Sequence, residues 1–168
     1  MSSRVLAIIA LGSNVGDSQD ILARAMERLE LLSTEPLLRS SFWQTSPVDC
    51  PPGSPPFVNT VVGLTPREGD TPESLLVKLL ALEKEFGRKP KILFNEPRRL
   101  DLDLITFGQE IRATKQLMLP HPRAHERRFV LQPLGEFAPK LVLPGQRKTV
   151  ADLLASLDTG EQLVRLNL

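Results

Sequence analysis

"LDLDLITF", residues 100–107, alternates leucine with aspartate and then turns wholly apolar. Side chains on a strand point alternately to opposite faces, so Leu100, Leu102 and Leu104 line one face and Asp101 and Asp103 the other. One face is written for a core and one for solvent or a ligand. The stretch is preceded by "NEPRR", residues 95–99, which puts two arginines directly before the strand.

Extended and helical spacings alternate through the rest of the chain. "VLAIIALGSN", residues 5–14, reads as a fully buried strand ended by the turn formers Gly12, Ser13 and Asn14. Asp17 is placed to cap a helix whose inner side is Leu22, Ala25, Met26, Leu29 and Leu32. "LLRSSFWQT" (37–45) and "FVNTVVGLT" (57–65) read as two strands joined by a stiff loop with five prolines in eleven residues. A second helix starts at Thr71 and Pro72, buries Leu75, Leu76, Leu79, Leu80 and Phe86, and stops at Gly87. The basic loop 88–99 then leads into the aspartate strand.

The order strand, helix, strand, strand, helix, strand gives the fold class α+β. It predicts a ferredoxin-like βαββαβ core, an antiparallel sheet with both helices on one face. Beyond residue 109 the spacing predicts a turn and short strand. After these come a helical segment in 121–139 broken near Pro133 and a last helix over 150–157, so the core carries C-terminal strand and helix additions. A chain of 168 residues, 41% hydrophobic, reads as a single domain spanning 1–168.

Composition excludes several classes. One cysteine, Cys50, cannot build a disulfide framework or a cysteine-rich zinc site, which suits a cytoplasmic location. The apolar run at 5–11 is too short for a membrane span, and no membrane association is expected. A net charge of +1 gives no general attraction to nucleic acid. A ferredoxin-like RNA-binding module would need exposed aromatics on its sheet, and this chain has no tyrosine and one tryptophan. The average hides a bias, because residues 84–128 hold eleven Lys or Arg against six Asp or Glu.

Asp101 and Asp103 stand two apart on one strand face, roughly 7 Å from each other at the backbone. A bare D-x-D pair is commonly the polar face of a half-exposed strand. Two like charges side by side repel, however, and a cation between them relieves the repulsion. Mg2+ takes one or two carboxylates and fills its shell with water and phosphate oxygens. Around the pair, Arg88, Lys89, Lys91, Arg98 and Arg99 on one side and Arg123, Arg127 and Arg128 on the other could close on a polyphosphate. His121 and His125 do not read as a metal pair, since Pro122 suits a helix start and leaves His121 outside it. His121 fits a phosphate contact. "LGSNVGD", residues 11–17, is a weak anion-binding turn without the Walker spacing or its lysine.

Together "ALGSNVGD", "FVNTV", "EPRRLDLDLITFG" and "LPHPRAHERRFVLQPLGEFAP" resemble the 6-hydroxymethyl-7,8-dihydropterin pyrophosphokinases of folate biosynthesis. That resemblance implies transfer of the terminal diphosphate of MgATP to the hydroxymethyl group of the reduced pterin, with release of AMP. It implies two Mg2+ ions held by Asp101 and Asp103, ATP as co-substrate, and a catalytic set of Arg88, Arg98, Asp101 and Asp103. Arg88, Arg98, His121 and Arg127 match its nucleotide contacts, and Glu83 occupies a further characteristic nucleotide-site position of unspecified role. For the pterin it implies stacking by Phe57 and Phe129, with Asn59 and the backbone near Thr45 and Val48 reading the ring edge. The partners expected are small-molecule substrates, with a monomeric chain. Pro90, Asn95, Glu96 and Pro122 depart from the pattern usual in the family.

Overall fold

The computed structural model describes residues 5–14, 17–45, 56–87, 100–158 and 160–166. At its centre is β1 (Ala7–Ser13), buried along its whole length because strands flank it on both sides and helices cover both faces. β4 (Phe57–Leu64) and β5 (Asp101–Phe107) pair with it on either side, both antiparallel. The sheet continues from β4 to β3 (Trp43–Thr45) and then to β8 (Leu163–Arg165), giving the order β5-β1-β4-β3-β8. This is the expected antiparallel α+β core, with β8 as a C-terminal addition at its edge, while β6 (Arg112–Ala113) and β7 (Met118–Leu119) pair in a separate two-stranded sheet.

Alternation along β1 divides the interior into two layers. Ala7, Ile9 and Leu11 face a cluster with Leu102 and Leu104 of β5, under α1 (Ser18–Glu30) and α2 (Pro72–Glu85). Ile8 and Ala10 face the opposite cluster with Val61, Ile105, Val130, Leu131 and Leu134, under α3 (Arg128–Phe137) and α4 (Val150–Ser156). The first two helices therefore share one face of the sheet, as the spacing predicts. The C-terminal helices cover part of the other face. No helix among the described residues is long and apolar enough to cross a membrane.

Several local expectations change in detail. Gly12 and Ser13 belong to β1 rather than to a turn, since both are registered against β4, at Asn59 and Val58. The segment 37–45 is two short strands, β2 (Leu38–Arg39) and β3. Ser40 interrupts it: its hydroxyl accepts the Val61 amide at 2.9 Å and meets Thr60 Oγ1 at 2.9 Å, so a side chain replaces a ladder contact. Asp17 does sit at the start of α1, but its carbonyl accepts the Ile21 amide and its side chain makes no capping bond.

α2 begins with a reciprocal cap, in which Thr71 Oγ1 accepts the Ser74 amide and Ser74 Oγ accepts the Thr71 amide. It ends at Gly87, whose φ of 86° is the left-handed conformation that glycine adopts without penalty. Its buried row is Leu75, Leu79, Leu82 and Glu83, while Leu80 is 52% exposed. Leu80 is thus removed from the expected stripe: Leu75, Leu79, Leu82 and Phe86 fall within one narrow arc of the helix, and at 3.6 residues per turn Leu80 lies roughly 130° from its centre. α3 continues through Pro133 instead of breaking there. The proline removes one amide from the helical ladder, and its ring is buried with Val130, Leu131 and Leu134 against the sheet. α4 is capped by Thr149 Oγ1, which accepts the Asp152 amide at 3.1 Å.

Candidate active site

The site is built on the face of the sheet that α3 only partly covers. In the strand register Asp101 of β5 lies opposite Gly12 of β1, Gly12 opposite Asn59 of β4, and Asn59 opposite Trp43 of β3. Directly opposed residues point to the same face, so this row runs across four strands on one side. Asp103 lies in the next row, opposite Ala10. Both aspartates are partly buried and project away from the Leu102 and Leu104 side.

Gly12 keeps the middle of the row open. A Cβ at that position would stand 3.2 Å from Asn59 Oδ1 and 3.9 Å from Phe57 Cδ1. Asn59 is buried, and its amide nitrogen donates to Thr45 Oγ1 at 3.1 Å, which fixes the carboxamide with its oxygen toward Gly12. Thr45 in turn is opposite Phe57. Three of the residues matched to pterin contacts, Thr45, Phe57 and Asn59, therefore form one cluster. The fourth, Phe129, stands at the start of α3 and packs with the cluster around Ile8, Ala10 and Val61, over the same sheet face. Val48 lies outside the described residues.

The nucleotide-type residues gather on the Asp101 side. A bulge in β5 at Ile105 leaves its carbonyl to accept the His121 amide at 2.8 Å, which ties the segment before the short 3-10 helix Ala124–Glu126 to the aspartate strand. His121 Nδ1 accepts the Arg123 amide at 3.3 Å, so the neutral ring carries its proton on Nε2. Burial, with the positive charges of Arg127 and Arg123, pushes the His121 pKa below its ordinary value, and the Asp101 carboxylate pulls weakly the other way. The Arg127 guanidinium covers the Phe129 ring, 5.3 Å from its centre. His125 turns instead toward Glu126, with Nε2 3.5 Å from Oε1. Arg88 and Arg98 lie outside the described residues, as do Lys89, Lys91 and Arg99.

Glu83 sits at the sheet edge. It is only 4% exposed, and its Oε2 accepts the Leu102 amide at 2.7 Å. Leu102 is the residue between the two aspartates, so a buried carboxylate from α2 holds the backbone link that separates them.

Residues 8–139 match the family model of 7,8-dihydro-6-hydroxymethylpterin-pyrophosphokinase (HPPK). The chain belongs to that family. The matched span contains every described residue of the site, from Gly12 to Phe129. A Synechocystis protein named 2-amino-4-hydroxy-6-hydroxymethyldihydropteridine pyrophosphokinase is 39% identical over 152 residues, 90% of this chain and 76% of that one. A Haemophilus influenzae protein of the same name is 34% identical over 164 residues, 97% of this chain and 99% of its own. Among solved structures, an HPPK-DHPS in complex with substrates has a TM-score of 0.68 at 12% identity. That likeness covers 92% of this chain and 43% of the HPPK-DHPS chain, and it bears on the fold alone.

Within the site the structure adds residues that carry no signal in the sequence. Gly12 reads as a turn former, and only the strand register shows it lying between Asp101 and Asn59. Glu136 of α3 accepts from the Ser41 amide at 3.0 Å, Ser41 Oγ at 2.7 Å and Trp43 Nε1 at 2.7 Å. This single carboxylate ties α3 to the strand beside Asn59. Its distance of more than ninety residues from both partners leaves no local signal in the sequence.

Proposed function

We propose that this chain performs its family's reaction along the row Asp101–Gly12–Asn59, with ATP held on the Asp101 side and the pterin on the Asn59 side. The family makes it an ATP-dependent diphosphokinase of folate biosynthesis. The terminal diphosphate of ATP passes to the hydroxymethyl group of 6-hydroxymethyl-7,8-dihydropterin. A bond forms from that hydroxymethyl oxygen to the β-phosphorus, the bond from the β-phosphorus to the α,β-bridging oxygen breaks, the hydroxyl O–H bond breaks with release of its proton, and AMP leaves. Such chemistry depends mainly on alignment and charge neutralisation.

The observation that carries this reading is the spacing across the row. Strands lie about 4.8 Å apart, so Asp101 and Asn59, two strands from each other, are separated by about 10 Å at the backbone. A flat bicyclic ring lying over β4 and reading its edge against Asn59 and Thr45 brings a hydroxymethyl substituent over Gly12 to the aspartates. Phe57 and Phe129 stack on the ring faces, and Val48 is assigned to its edge from the family pattern. His121 donates its Nε2–H to a phosphate oxygen, and Arg127 supplies positive charge beside it. Arg88 and Arg98 are assigned to the triphosphate from the family pattern.

Asp101 and Asp103 fit Mg2+, and we assign them two ions. They are paired carboxylates on one face, and among the described residues no cluster of three or more acidic, histidine or cysteine side chains forms a closed cage. Such a half-built shell suits a cation that completes its coordination with water and phosphate oxygens. When bound, Mg2+ supplies neutralisation of phosphate charge and Lewis acidity. The further assignments are one domain over 1–168, a monomer, small-molecule substrates without nucleic acid, and a cytoplasmic location suited to a chain with one cysteine.

The deciding experiment is AMP release from MgATP with and without the hydroxymethyl pterin. Pterin-dependent AMP with stoichiometric pterin diphosphate is expected. Release of ADP independent of pterin would exclude this function.

A further inference from the structure

We propose that Glu83 is a positioning residue, which sets the metal-binding spacing of Asp101 and Asp103 through the Leu102 amide and not as a metal ligand. The inference rests on the diphosphokinase reading above. Among the described residues β5 is the outermost strand on its side of the sheet, with no described strand paired to its outer side. Edge strands are where register and local twist are least constrained. At the one residue between the two aspartates, that freedom is restrained by a hydrogen bond of 2.7 Å from the Leu102 amide to Glu83 Oε2.

Geometry separates this role from that of a metal ligand. Leu102 points into the layer under α1 and α2, and Glu83 rises from α2 in that same layer. The aspartates project from the opposite face, beside Ala10 and Gly12. Glu83 thus approaches the strand from behind the metal face. Burying a carboxylate on a helix otherwise lined by Leu75, Leu79 and Leu82 is costly, and the Leu102 bond offsets part of that cost. A leucine there would serve the core better. What it would not supply is an acceptor for the amide between the metal ligands.

The test compares Glu83→Gln, which keeps an acceptor oxygen but no charge, with Glu83→Leu and Glu83→Ala, which remove the acceptor. Mn2+ is titrated into each protein with a non-hydrolysable ATP analogue present, and free Mn2+ is read by electron paramagnetic resonance. Glu83→Leu and Glu83→Ala should weaken Mn2+ binding about tenfold, and Glu83→Gln should stay within about twofold of wild type. Amide hydrogen exchange at Leu102 should be fast in the first two and slow in the third. Wild-type Mn2+ affinity in the Leu or Ala variant overturns the proposal, as does a tenfold loss in the Gln variant. If neither truncation folds, Glu83→Gln decides: it must retain both Mn2+ affinity and Leu102 protection. Asp101→Asn is the control for the underlying reading. If that variant binds Mn2+ normally, the metal assignment fails; if it loses Mn2+ while the Glu83 truncations do not, only the positioning role fails.

Discussion

Asn59 Oδ1 lies 3.2 Å from the point that a Cβ on Gly12 would occupy, although the two residues are 47 positions apart in the chain. A methyl group at that distance forces the carboxamide to move, and the carboxamide is already committed to Thr45. Gly12→Ala is therefore expected to weaken pterin binding about tenfold, or ~1.4 kcal/mol, and Gly12→Val more. Calorimetric titration with the pterin checks this. Affinity for an ATP analogue alone should change much less, because the obstruction lies on the Asn59 side of the row.

Removing one carboxylate of the pair should affect turnover far more than folding. Asp101→Asn and Asp103→Asn keep the strand alternation and the leucine face intact. Loss of an electrostatic contact made at the reacting phosphates costs roughly a hundredfold or more in kcat. AMP release under saturating substrates, set beside thermal unfolding curves, tests both halves. Turnover near wild type in either variant contradicts the metal assignment.

The packing of α2 can be checked by two adjacent leucines. Leu79 is 1% exposed and Leu80 is 52% exposed. Leu79→Ala should lower stability by about 2–5 kcal/mol, while Leu80→Ala should stay within about 0.5 kcal/mol. Urea unfolding of the two variants distinguishes the observed helix face from the one that leucine spacing alone suggests.

That contrast marks where sequence patterns lose force. Alternation in residues 100–107 sorted leucines from aspartates because a strand has a strict two-residue period and both residue types are unambiguous. Thr71, Pro72 and Gly87 marked the ends of α2 because capping is local chemistry. Leu80 falls outside the buried face because the apolar residues of this helix fit a stripe in more than one rotation, and packing against the sheet selects the one that buries Leu82 with Leu75 and Leu79. Pro133 reads as a breaker from its own stereochemistry, and only packing across the sheet keeps α3 whole. The aspartates were legible as a site, while Gly12 and Glu83 acquire their meaning from register and from a contact between α2 and β5.

The protonation state of His121 gives a pH dependence with a defined sign. Its folded-state pKa lies below the ordinary 6.5, first through burial and then through Arg127 and Arg123. Above pH 6.5 the ring is neutral in both folded and unfolded chains, so the shift costs nothing. As pH falls below 6.5 the unfolded chain takes up a proton that the folded chain resists, and stability declines. His121→Gln should remove this component, so the gap in melting temperature between wild type and variant should shift against wild type from pH 7.5 to 5.5. A constant gap across that range would count against the shifted histidine.

Glu136 offers a spectroscopic test of the link between α3 and β3. The chain has one tryptophan, Trp43, and its indole nitrogen donates to Glu136 Oε1 at 2.7 Å. The same carboxylate takes the Ser41 amide and hydroxyl, so Glu136→Ala removes three contacts at once, whereas Glu136→Gln retains acceptor capacity. Because Trp43 is paired with Asn59 across the strands, loosening the indole disturbs the pterin side of the row before the aspartate side. The alanine variant should show an altered tryptophan emission maximum and a pterin KM raised several-fold, with kcat and Mn2+ affinity nearly unchanged. The glutamine variant should fall between it and wild type. A fall in kcat without any change in emission or pterin KM would mean that this clasp acts on the nucleotide side, contrary to its place beside Asn59.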